Sequence, residues 1–152
     1  MAPSKHISFM DSAVDLAKTA LTVGEVPVGA VVVQKGEIIG RGHNRTRIDN
    51  DPTAHAEMVA IRQAAQALGN DRLDGCDLWV TLEPCTMCAG AIAHARITRL
   101  YYGADDPKGG AVDSGVRFFD SPTCHHRPDV YAGMEGERSG KLLLDFFQRR
   151  RD

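Results

Sequence analysis

Two short segments, His55-Ala56-Glu57 and Pro84-Cys85-Thr86-Met87-Cys88, place the strongest condition on how this chain can fold. Cys85 and Cys88 stand three positions apart just after a proline, a helix-start context, so both sulfurs can face a common point. A helix N-terminus favours negative charge and hence the thiolate form. His55 follows a second helix-start signal, Asp51-Pro52-Thr53, and sits in the first turn of a helix predicted over Ala54 to Leu68. Two sulfurs and one imidazole suit zinc better than magnesium or calcium. Glu57 lies two residues beyond His55, and on a regular helix that spacing turns the side chains about 200° apart. Both can approach one ion only if it lies off the helix end. The fold must therefore bring two helix N-termini, distant in sequence, nose to nose.

The rest of the chain supplies the elements such an arrangement needs. Apolar positions from Ile7 to Leu21 form a helical stripe that Gly24 ends, and Val26 to Val33 reads as a buried strand. Gln34-Lys35-Gly36-Glu37 is a hairpin turn into a returning strand at Ile38-Ile39-Gly40, and Arg41 to Asp51 runs out into a polar loop. Beyond the Ala54 to Leu68 helix come a strand at Leu78 to Leu82, a helix opened by Pro84 through Ala95, and a strand at Thr98 to Tyr102. Gly103 to Gly115 is a loop rich in Gly and Asp, and Met134 to Arg150 an amphipathic helix with Leu142, Leu143, Phe146 and Phe147 on its apolar side. Adjacent helix positions cannot both face inward, so at least one of Phe146 and Phe147 is expected in the core. Helices alternating with strands predict an α/β fold with a sheet between helix layers. With no repeat or linker, residues 1–152 read as one domain.

Composition narrows the function classes. A net charge of −2 argues against a protein that coats nucleic acid indiscriminately, because that mode relies on many phosphate-neutralising cations. No segment is long and apolar enough to span a bilayer, and the first residues lack a signal-peptide run, so a cytoplasmic setting is expected. In that reducing setting four cysteines point to metal or catalysis before disulfides. Cys76, ahead of a strand, reads as a small buried apolar residue. Cys124-His125-His126 invites a second metal site, but adjacent residues rarely converge on one ion.

Three protein ligands leave a fourth position open, which separates catalytic from structural zinc. Water held there loses a proton near neutral pH, and Glu57 is the expected proton carrier. A closed structural site would need a fourth ligand from Cys76, His94 or Cys124; none stands at ligand-like spacing, and Glu57 would be left without a task.

His-x-Glu ahead of Pro-Cys-x-x-Cys is the established signature of zinc nucleobase deaminases. Four blocks, Val26-Pro27-Val28-Gly29-Ala30, Pro52 to Glu57, Thr81 to Ala91 and Gly103 to Ala111, resemble the bacterial tRNA-specific adenosine deaminases, as does the closing Asp145-Phe146-Phe147-Gln148-Arg149-Arg150. The resemblance implies a cytidine-deaminase-like three-layer α/β/α sandwich with a central five-stranded mixed sheet, and a homodimer. It implies zinc, one per subunit, held by His55, Cys85 and Cys88, with Glu57 as the proton shuttle. It further implies that Asn44 hydrogen-bonds a flipped base with help from the backbone at Ala56, that Asp106 and Lys108 meet the neighbouring nucleotides, and that His126 lies near the RNA. The implied reaction converts adenosine to inosine at the wobble position of a tRNA anticodon stem-loop, an arginine tRNA in the family. An anticodon loop already presents its bases, so extruding one costs less than from a duplex. Arg41, Arg45, Arg47 and Arg149 to Arg151 are candidates for phosphates. The competing readings are a free nucleobase or nucleoside deaminase, guanine being the nearest substrate, and a non-catalytic RNA-binding protein that keeps zinc for stability.

Overall fold

The computed structural model describes residues 8–151, apart from the side chains of residues 150 and 151. Strand β1 (Gly29–Gln34) is buried along almost its whole length, as a continuous apolar run must be when both sheet faces are covered. β2 (Glu37–His43) and β3 (Cys76–Leu82) flank it, both antiparallel to β1. β4 (Arg99–Ala104) runs parallel to β3, and β5 (Asp129–Tyr131) parallel to β4, giving the order β2-β1-β3-β4-β5. This is the five-stranded mixed sheet that the family resemblance implies. The parallel β3–β4 pair needs a crossover, and α3 (Thr86–Ala95) supplies it.

Strand alternation divides the core into two layers. Val31, Val33 and Trp79 pack with Met10, Ala13 and Val14 of α1 (Met10–Thr22). Ala30, Val32, Leu78, Val80, Leu100 and Tyr102 point the other way, against Ala60 and Ala64 of α2 (Ala56–Leu68) and Ala89 and Ile92 of α3. α4 (Gly136–Arg151) packs on β4 and β3 beside α1. Phe146 is buried while Phe147 is half exposed, dividing the pair as adjacent helix positions require.

The seating of α2 on β2 matters most for function, and two glycines allow it. A Cβ at Gly40 would overlap the Ala60 carbonyl oxygen, and one at Gly42 would lie 2.5 Å from the Ala56 carbonyl oxygen. Helix backbone therefore rests directly on strand backbone, which fixes where α2 begins. Gly40→Ala is expected to lower stability by about 3 kcal/mol, the upper end of ordinary overpacking. Thermal unfolding measures this, and an unchanged midpoint would contradict the close contact.

The element boundaries differ from expectation at informative places. The predicted first helix begins at Met10, and Ile7 lies outside the described residues. Val26 to Val28 are not strand: the Val28 amide turns back to the Val26 carbonyl at 2.8 Å, leaving this stretch to line a pocket. The short β5 lies in a segment with no apolar alternation, so periodicity alone missed it. Among the described residues, no helix is long and apolar enough to cross a membrane.

Candidate active site

α2 and α3 each begin with a functional side chain at the cap position rather than inside the helix. His55 precedes α2 with extended backbone (φ −73°, ψ 156°), and Cys85 precedes α3 in the same way (φ −77°, ψ 178°). The helices thus start two residues later than expected from Ala54 and Pro84. The shift resolves the angular problem posed by His55 and Glu57. His55 leaves the chain before the helix forms, so it and first-turn Glu57 approach one point beyond the helix end. Two helix N-termini face each other across that point.

The donor set tests well for zinc. His55 Nδ1 lies 3.6 Å from Cys85 Sγ and 3.6 Å from Cys88 Sγ. Tetrahedral coordination with ordinary zinc–sulfur and zinc–nitrogen lengths separates such atoms by about 3.6 Å. His55, Cys85 and Cys88 are the only His, Cys, Asp or Glu group of three or more within metal-holding distance among the described residues. The electrostatics agree. Hydrogen bonding to Cys88, and then to His55, draws the Cys85 thiol down to about 4, against the penalty of burial. Cys88 is pushed up by its bond to Cys85 and by burial. The protein alone thus favours one thiolate of the pair, and a divalent cation between the sulfurs is what allows both.

Glu57 is buried, and desolvation raises its carboxyl to about 7, against the lowering influence of its backbone hydrogen bond and His55. That suits a group that must both accept and release a proton near neutrality. His55, Ala56, Glu57 and Cys85 line a cavity of about 360 Å³, within the range of small-molecule sites. Ala56 is the first residue of α2, so its N–H has no acceptor inside the helix.

The other walls come from two loops. Asn44 lines the cavity and is buried; its Nδ2 donates to Glu25 Oε1 at 3.0 Å. Asp106 and Gly109 line the cavity as well. Lys108, between them, is exposed. His126 is not brought to the pocket: its Nε2 donates to the Ile97 carbonyl at 2.6 Å, just beyond the C-terminal end of α3. Cys124 donates to the His126 carbonyl at 3.1 Å and joins no metal group, and Cys76 is buried in the core. Arg45 pairs with Asp49 at 3.0 Å at the surface. The side chains of Arg150 and Arg151 lie outside the described residues.

Sequence reasoning missed two buried glutamates. Glu25 accepts from Asn44 and from the backbone amides of Arg47 and Ile48. Glu83 accepts from the loop that carries Asp106. Burial raises the Glu83 carboxyl, but hydrogen bonds from Asp106, Ser114 and Val112 outweigh it and hold the group below its usual range. No local sequence signal marks either one, because the backbone amides that Glu25 and Glu83 accept from lie twenty or more positions away.

Fold and donor set together define a zinc-dependent deaminase with one zinc per subunit, and residues 3–104 match the cytidine and deoxycytidylate deaminase zinc-binding region. Within that class the chain belongs to the tRNA-specific adenosine deaminase family. It is 59% identical to the tRNA-specific adenosine deaminase of Agrobacterium fabrum over 99% of this chain and 98% of that one. A solved structure from work on A-to-I editing by tRNA:A34 deaminases at the wobble position matches with 61% identity and a TM-score of 0.88, covering 89% of this chain and 98% of that one. The guanine deaminase of Bacillus subtilis is more distant at 38% identity and a TM-score of 0.64, covering 96% of this chain and 93% of that one.

Proposed function

We propose that this chain deaminates adenosine to inosine at the wobble position of a tRNA anticodon, an arginine tRNA by family resemblance. The observation that carries the reading is the buried Glu57 carboxyl beside a three-donor group in a base-sized pocket. Residues 1–152 act as one deaminase domain, in a cytoplasmic homodimer. His55, Cys85 and Cys88 hold the zinc, which when bound supplies the Lewis acidity that makes water a nucleophile at neutral pH.

Glu57 takes a proton from the attacking water as its oxygen adds to C6 of the adenine, and delivers a proton to N1. It then takes the remaining proton of the hydroxyl added at C6 and passes it to the exocyclic nitrogen as the C6–N6 bond breaks and the C6 carbonyl forms. Water is consumed and ammonia released, with Glu57 returned to its starting state. Asn44 and the Ala56 amide hold the base edge, while Val26, Val28 and Leu82 supply apolar contact to the ring. Asp106 and Lys108 meet nucleotides beside the target, and His126 meets RNA outside the pocket.

The test compares zinc-loaded protein on an anticodon stem-loop carrying wobble adenosine with free guanine, adenosine and cytidine. Inosine in the digested stem-loop, with the free compounds unchanged, is the expected result. Turnover of guanine with an inert stem-loop would replace the assignment.

A further inference from the structure

Glu83 stands at the end of β3, two residues before Cys85, and is 2% exposed. Its carboxylate accepts five hydrogen bonds, all from one loop. Oε1 takes the Asp106 amide at 3.0 Å and the Ser114 hydroxyl at 2.9 Å. Oε2 takes the amides of Val112, Asp113 and Ser114 at 3.0, 2.9 and 2.9 Å. The loop is also tied to the ligand segment: the Ala111 amide donates to the Pro84 carbonyl at 2.9 Å, and Gly110 bridges to Cys85. Gly110 is glycine for a steric reason, since a Cβ there would lie 2.5 Å from the Glu83 carboxyl carbon. Asp106 continues the same network, its Oδ1 accepting from the Gly109 amide at 3.0 Å.

A short carboxylate-filled nest of this kind fixes a loop that would otherwise be free in its glycines. One end of it is the wall of the pocket, Asp106 and Gly109; the other is the strand leading to Cys85. We propose that Glu83 is a positioning residue for the RNA substrate: by clamping residues 105–114 it fixes Asp106 relative to the base pocket. The inference rests on the anticodon reading above and adds a residue to it. Glu83 borders the pocket beside Cys85, but both of its carboxylate oxygens are taken up by the loop. Its effect passes through Asp106.

Glu83→Gln keeps the size of the side chain but turns one oxygen into an NH2 group facing N–H donors, so part of the nest must open. In zinc-loaded protein made unreactive by Glu57→Gln, adding Glu83→Gln is expected to weaken binding of the anticodon stem-loop about tenfold, the scale of one charged hydrogen bond. Zinc content stays at one per chain. Hydrogen exchange quickens at the Asp106, Val112, Asp113 and Ser114 amides and not in β1. A role confined to stability would leave the loss intact when Asp106 is absent, whereas positioning through Asp106 predicts that Glu83→Gln costs less than about twofold in the Asp106→Ala background. Ser114→Ala removes one of the five bonds with little risk to folding, and about a twofold weakening is expected from it.

Undiminished stem-loop binding in Glu83→Gln, a full tenfold loss that persists without Asp106, or loss of zinc along with binding each overturns the proposal. These outcomes require a parent that binds the stem-loop. A parent that does not bind it overturns the anticodon reading, and this inference with it.

Discussion

Glu57→Gln is expected to lower stem-loop deamination by about 10³-fold, the middle of the range for removing a positioned acid–base group. Zinc content and stem-loop affinity should stay close to those of the parent. Glutamine fills the same buried volume at the same point of α2, but it can neither accept the water proton nor pass it on. The neutral amide also removes the desolvation burden that raises the carboxyl to about 7, so the substitution should leave the fold intact. Two measurements decide the matter: single-turnover inosine formation, and zinc bound per chain. Parent-rate turnover would remove Glu57 from the chemistry, whereas zinc loss would make its role structural.

The amino-acid sequence made the donor set legible because its chemistry is carried by residue type and local spacing. Cys85 and Cys88 need only a helix start to converge, and Glu57 has meaning only next to an open metal position. The nose-to-nose helices also followed from an angular argument on His55 and Glu57. What spacing could not reveal was partner identity. Glu25 and Glu83 act through backbone amides twenty or more positions away, which carry no sequence signature. Asn44 has the same difficulty: its residue type fits a turn as well as a ligand, and neither its bond to Glu25 nor its place in the pocket wall carries a sequence signature. The three-residue β5 is stabilised by pairing with β4, not by its own pattern, so only a family likeness could supply it.

Removing one sulfur should have a larger effect than removing the acid, because it takes away the metal as well. Cys88→Ala deletes a fully buried donor, leaving His55 and Cys85 as a two-ligand site. Two protein ligands hold zinc far more weakly than three, so zinc is expected to fall from one per chain to near zero after dialysis against a mild chelator. Deamination should fall below detection. Stability follows by linkage, because an ion that binds only the folded state at a thousandfold excess over its Kd contributes about 4 kcal/mol. A strong chelator should therefore lower the unfolding temperature of the parent and leave that of Cys88→Ala unmoved, with zinc restoring the parent alone. Cys76→Ala is the control: that thiol is equally buried but sits at the first position of β3, in the core cluster, so it should lose packing energy and keep both metal and turnover. Zinc retained at one per chain in Cys88→Ala would show that the ion is held by other donors, and the three-ligand site with its open position for water would fall.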